Sequence, residues 1–122
     1  MKLVTAILQR EKLDELLEEL ASRGAPGVTV TEVRGFGRQY GQLVTEQMAA
    51  GVTEARRTGK PAAFLLAKIR LDILVLDDDA ESVVEMIAKT AHSGTIGDGK
   101  IWVTPVEGAL RVRTGERGRE AV

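Results

Sequence analysis

Cysteine is absent from this chain, which excludes disulfides and thiolate metal sites and is compatible with a reducing compartment. Histidine is nearly absent: His92 stands alone and cannot build an imidazole-based metal site by itself. Aromatic residues make up 3% of the chain, and the apolar segments Leu3–Leu8 and Ala67–Leu76 contain none. That argues against RNA bases stacking on a sheet. Neither sign of charge dominates. The formal net charge is −1, which excludes nucleic-acid binding driven by overall charge while leaving room for local basic clusters. No apolar run approaches the ~20 residues that span a bilayer. The opening MKLVTAILQREKLDE reaches charge too early for a secretory signal. The expectation is a cytoplasmic protein with no nucleic-acid partner and no direct membrane insertion.

Apolar residues, at 43%, suffice for one packed core, so residues 1–122 read as a single domain. Leu3–Leu8 reads as a buried strand. From Lys12, leucines at 13, 16, 17 and 20 form one helical face opposite Asp14, Glu15, Glu18 and Glu19. Gly24 and Pro26-Gly27 should stop this helix. Val28–Phe36 alternates as a second strand. Residues 37–64 break the pattern, and a segment of this length without a clear core face is usually functional. Part of it, 42–57, has weak helical periodicity. Ala67–Leu76 reads as a third strand, and Asp77-Asp-Asp79 as the N-cap and acidic first turn of a helix. That helix should bury Val83, Val84, Ile87, Ala88 and Ala91. A glycine-rich loop, Gly94–Lys100, precedes a fourth strand, Ile101–Val106, whose Pro105 marks an edge or an end. Ala109–Thr114 alternates apolar and basic residues, and residues 117–122 should fray.

The order predicts an α+β, ferredoxin-like βαββαβ sandwich: a four-stranded antiparallel sheet with two helices on one face. Its other face, apolar and poor in aromatics, suggests self-association.

Three clusters could bind an anion. Gly35-Phe-Gly-Arg-Gln39 combines permissive glycines with a guanidinium; a flexible turn with a solvated arginine is the plainer reading. Gly94-Thr-Ile-Gly-Asp-Gly-Lys100 matches most of a Walker A pattern, but residue 101 is Ile rather than the Ser/Thr that would hold magnesium. It also runs from helix to strand, the reverse of a P-loop. It can be a phosphate loop of another kind or a solvated glycine-rich turn. Arg111-Val-Arg113 would place two guanidinium groups on one side of a strand, where an anion would relieve their repulsion; an exposed basic strand is the alternative. Catalysis has little support, since His92 and the adjacent Ser93 make no triad signature. Trp102 and Phe36 read more simply as packing residues.

Together, Lys12-Leu-Asp14, the run Gly27 to Gln39, Gly94 to Ile101 and Arg111-Val-Arg-Thr-Gly-Glu116 resemble the PII nitrogen-regulatory family over residues 1–41 and 67–117. The resemblance implies a ferredoxin-like homotrimer that binds ATP and ADP competitively in clefts between subunits and is not a dedicated enzyme. It assigns Ile7, Thr29 and the backbone near Leu74 to the adenine side. Gly35, Phe36, Gly37 and Arg38 border the nucleotide, with Arg38 near the phosphates. Gly97, Asp98, Gly99 and Lys100 wrap the phosphates within a loop spanning 92–100. Arg111 and Arg113, in a C-terminal segment spanning 108–122, close on them from the neighbouring subunit. Gln39 would help hold Mg²⁺ beside ATP, and 2-oxoglutarate would chelate that metal near Gly41, with Lys68 pairing a carboxylate. A keto acid offers two oxygens to a hard cation, which suits this chemistry.

Residues 42–64 correspond to the family's T-loop, which docks on a membrane transporter or metabolic enzyme. This loop is about ten residues longer than the family spacing. It lacks the usual tip sequence and tyrosine, and Tyr40, the sole tyrosine, sits at its base. Thr95 stands where a lysine is usual, and Gln9-Arg10 replaces a Lys-Pro. These departures motivate an alternative: a divergent PII-like regulator of another transport system, such as bicarbonate uptake, sensing ADP, AMP or a cyclic nucleotide. A weak ATPase is a third reading, requiring turnover that Lys100→Ala abolishes.

Overall fold

In the computed structural model, which describes residues 1–37 and 65–122, the first apolar run forms strand β1, Lys2–Leu8. Val4, Ala6 and Leu8 enter the core and are at most 2% exposed, as the two-residue period of a strand requires. A short 3₁₀ turn, Arg10–Lys12, leads into helix α1, Leu13–Ser22. Its Leu16 and Leu20 are buried, and Asp14 and Glu15 occupy the first turn, where the helix dipole favours negative charge. The helix stops at Gly24, as expected. That residue has φ +67°, its N–H donates to the Ala21 carbonyl, and the N–H of Ala25 reaches Leu20. These are the two bonds of a Schellman cap.

Strand β2, Thr29–Gly35, and strand β3, Leu66–Val75, follow. The readings made for residues 42–64, and the sites at Arg38, Gln39 and Gly41, lie outside the described residues. A 3₁₀ turn at Asp77–Asp79 then enters helix α2, Ala80–Ala91, and strand β4, Gly99–Pro105, completes the sheet. The strand order is β2-β3-β1-β4, antiparallel throughout. With both helices on one face, this is the ferredoxin-like sandwich anticipated. Leu16, Leu20, Met86 and Ile87 from the helices pack against Val4, Ile69, Leu71 and Ile73 of the central strands.

Several local expectations need correction. Asp77–Asp79 supplies no side-chain cap to α2. The Asp77 carboxylate instead pairs with the Met1 ammonium at 2.7 Å, which holds its pKa below the usual range. On α2, Met86 is buried and Ala88 exposed, because the buried stripe is rotated relative to the apolar stripe read from the sequence. β4 starts at Gly99, two positions before Ile101, since the ladder to β1 reaches Leu8↔Gly99. Pro105 ends this edge strand, where its missing N–H leaves no ladder bond unmade. The alternating segment Ala109–Thr114 is not a strand. A single bridge, Leu110↔Arg117, closes it into a loop. Residues 117–122 do not fray; Gly118–Ala121 forms a 3₁₀ turn.

Candidate functional site

The register of the sheet explains why distant glycines meet. β1 ends beside the start of β3 (Leu8↔Ile69), β2 ends there too (Gly35↔Leu66), and β4 begins there (Leu8↔Gly99). The loop after β2 and the loop before β4 therefore face one open cleft of about 700 Å³ at this end. Ile7, Leu66 and Lys68 come from the sheet. Gly35, Phe36 and Gly37 form one rim, and Thr95 to Lys100 form the other. Phe36 and Ile96 are both more than half exposed, so the cleft carries apolar flanks around its cationic groups.

The Thr95–Lys100 rim is shaped by Asp98. Its carboxylate accepts from the N–H groups of Ser93 (2.8 Å) and Gly94 (2.9 Å) and from the Ser93 hydroxyl. Ser93 Oγ also bonds Thr95 Oγ1 at 2.8 Å. The Ser93 bonds lead in holding Asp98 well below the usual carboxylate range, at about 2. Asp98 thus pins the loop from within. Because the Ser93 hydroxyl bonds this carboxylate directly, the order a serine nucleophile and histidine base require is not built here. His92 Nδ1 stays 3.8 Å from Asp98 Oδ2.

A depressed folded-state pKa means that this pinning is complete above the unfolded aspartate value of about 3.9 and is lost as pH falls through about 2. In an NMR titration, the Asp98 side-chain carbon should titrate near 2. The amide signals of Ser93 and Gly94 should move with it. Titration at about 3.9 would show that the bonds are not formed.

Lys68, 8% exposed, donates from Nζ to the Gly97 carbonyl at 2.9 Å. Burial lowers its pKa, partly offset by the charges of Glu11 and Asp98. The lysine expected at the base of the long loop is therefore also the tie between β3 and the glycine-rich rim. Lys100 lines the same cleft and is exposed. Cations and glycine backbone make a donor set suited to anions. Among the described residues, no group of three or more His, Asp or Glu side chains is placed to hold a metal ion.

Thr29 and Leu74 do not join this cleft. They line a second pocket of about 390 Å³ together with Asp72, Gly27 and Val122. Leu74 pairs with Leu3, and Thr29 with Asp72, so this pocket lies toward the opposite end of the sheet. Six strand steps separate Thr29 from Gly35, about 20 Å at strand rise. Ile7 lines the cleft while Thr29 and Leu74 line this second pocket, so one chain by itself does not bring the three into one space. Arg111 is turned back on its own loop, donating to Glu116 Oε1 at 3.3 Å and to the Val122 main-chain oxygen at 3.1 Å. Arg113, at the exposed turn, does not share a strand face with it.

Asp72 was not anticipated. It accepts from Arg70 Nε and from Thr5 Oγ1, each at 2.8 Å, and the Arg70 bond leads in lowering its pKa. Thr5 is 1% exposed, so a satisfied polar network crosses the sheet face away from the helices. The alternation Lys68, Arg70, Asp72, Leu74 carried the signal, because every second residue of a strand shares a face.

Comparison with known proteins gives a match of residues 1–116 to the family described as Nitrogen regulatory protein P-II. The chain is 44% identical over 122 residues to Nitrogen regulatory protein P-II 2 of Methanothermobacter thermautotrophicus, covering 100% of this chain and 97% of that one. It is 43% identical to Nitrogen regulatory protein P-II of Azospirillum brasilense and 39% identical to Nitrogen regulatory protein GlnK of Escherichia coli, with full coverage of both chains in each case.

Proposed function

The chain belongs to the nitrogen regulatory protein P-II family, and from that premise we propose that this signal-transduction regulator binds ATP or ADP in clefts between the subunits of a homotrimer. The observation that carries the reading is the cleft itself. Lys68, Lys100 and the Gly97–Lys100 backbone converge with Gly35–Gly37 at one end of the sheet. Phosphates suit the cations and glycines, and the base needs an apolar slot. The half-site with Thr29 and Leu74 is a separate pocket on the same chain. In this reading a neighbouring subunit supplies it, together with Arg111 and Arg113. The cleft's donor set fits an anion, so Mg²⁺ arrives with the phosphates, and Gln39 is the side chain expected to reach it. The chelating keto acid, 2-oxoglutarate, would bind beside it near Gly41, with Lys68 as its counter-charge.

Nucleotide identity then selects the state of the loop at 42–64, which a membrane transporter or metabolic enzyme reads. No helix among the described residues is long and apolar enough to cross a membrane, and in this reading a cytoplasmic protein meets the membrane only through such a partner. Calorimetric titration with ADP and ATP should give saturable heat below millimolar nucleotide; no heat there ends the proposal. Arg113→Ala should weaken ADP binding about tenfold, the loss expected for one solvent-accessible charge-assisted bond. Unchanged affinity removes Arg113 from the site.

Thr95 favours a second reading. It lines the cleft and bonds Ser93 where a lysine would have added positive charge. A divergent regulator sensing ADP, AMP or a cyclic nucleotide for another transport system, for example bicarbonate, would need less charge there. Repeating the ATP titration with 2-oxoglutarate separates the two: tighter ATP binding favours the first reading, and no effect favours the second.

A further inference from the structure

Arg111 is expected at a phosphate, yet its own chain already holds it. The loop around it is closed by backbone bonds from Arg111 to Glu116 (2.9 Å), from Gly115 to Arg111 (2.8 Å) and from Gly118 to Ala109 (3.0 Å). Gly115 and Gly118, with φ of +75° and +65°, make the reversals, a conformation that glycine adopts without strain. The chain then winds through its last 3₁₀ turn and brings the Val122 oxygen to Arg111 Nη2, while Nη1 faces the Glu116 carboxylate. Ala121 and Val122 also line the pocket that contains Thr29 and Leu74. One short segment therefore engages the guanidinium expected at the phosphates and walls the pocket expected at the base.

We propose that residues 118–122, latched through Arg111 and Glu116, form a strap that competes with the nucleotide and is displaced when it binds. The inference rests on the nucleotide reading above. A guanidinium carries its five N–H donors in a fixed fork, so Arg111, aimed by its bonds to Glu116 and Val122, must swing off them to turn that fork to a phosphate. A nucleotide phosphate, charged and bidentate, is the stronger acceptor for that fork. The strap is docked in the free protein and released in the bound one. Its release supplies a second nucleotide-dependent surface, distinct from the long loop.

The test uses the full-length chain. Glu116→Gln removes the charge from the latch and leaves the backbone loop intact. ADP affinity should rise about three- to tenfold, as expected when a competing charge-assisted bond is weakened. A chain ending at Arg117 should bind at least as tightly as that variant. In hydrogen exchange, ADP should speed the amides of residues 118–122 in the parent protein. Equal or weaker ADP binding by Glu116→Gln, or slower exchange of the segment with ADP, overturns the strap while leaving the nucleotide site standing. If the parent binds no ADP, the nucleotide reading falls, and the strap falls with it.

Discussion

Gly99→Ala should lower the unfolding free energy by about 3–5 kcal/mol, combining backbone strain with forced separation of two strands. Gly99 has φ +109°, and a β-carbon there would overlap the carbonyl oxygen of Ile7. Neither atom can yield as a flexible side chain would, because both belong to the β1–β4 ladder. The substitution must rotate the peptide or open the start of β4, and the glycine-rich rim would be lost with it. Thermal unfolding at matched protein concentration should show a midpoint lower by roughly 10–20 °C. Gly108→Ala is the control, since a β-carbon there meets nothing within 4 Å and its φ is not in the left-handed region. It should stay within about 0.5 kcal/mol of the parent. A Gly99→Ala protein with the parent's midpoint would mean that β4 does not approach β1 as described.

One position further on, the expected effect moves from folding to binding. Lys100→Ala should leave the melting midpoint nearly unchanged, because Lys100 is exposed on an edge strand. Its ADP affinity should fall by about 1.5–3 kcal/mol, roughly ten- to a hundredfold, the range for losing a hydrogen bond between charged partners. Among the cleft's cations Lys100 is the better probe. Lys68 also holds the Gly97 carbonyl, so removing it would disturb the rim as well as the charge. Parent-like ADP affinity in Lys100→Ala, measured by calorimetry, would take the lysine out of the site and with it the main electrostatic reason for placing phosphates there. The contrast between Gly99 and Lys100 tests whether this loop has separable structural and ligand-facing parts.

Much of the architecture was legible in the residues. Alternation and helical periodicity located four strands and two helices, because a core of this kind buries one face of each element. Gly24 predicted a helix end that the Schellman bonds explain. Legibility failed where a residue's partner lies far along the chain. Asp77 looked like a cap and pairs with Met1. Arg111 and Arg113 looked like neighbours on a strand, and the reversals at Gly115 and Gly118 turn Arg111 back toward Glu116 and Val122. Asp72 has one partner that alternation could have shown, Arg70 two positions away, and one that it could not, Thr5, 67 positions away.

The sequence by itself determined the fold class and the family resemblance, since periodicity and short glycine-bearing motifs are local properties. The tertiary structure decided which motif residues share a space. Antiparallel register brings Ile7, Gly35 and Lys100 to one end of the sheet and sends Thr29 and Leu74 toward the other. That sorting depends on which strand pairs with which and at what offset. Such pairing is fixed by side chains meeting across the core, and no single stretch of sequence contains it.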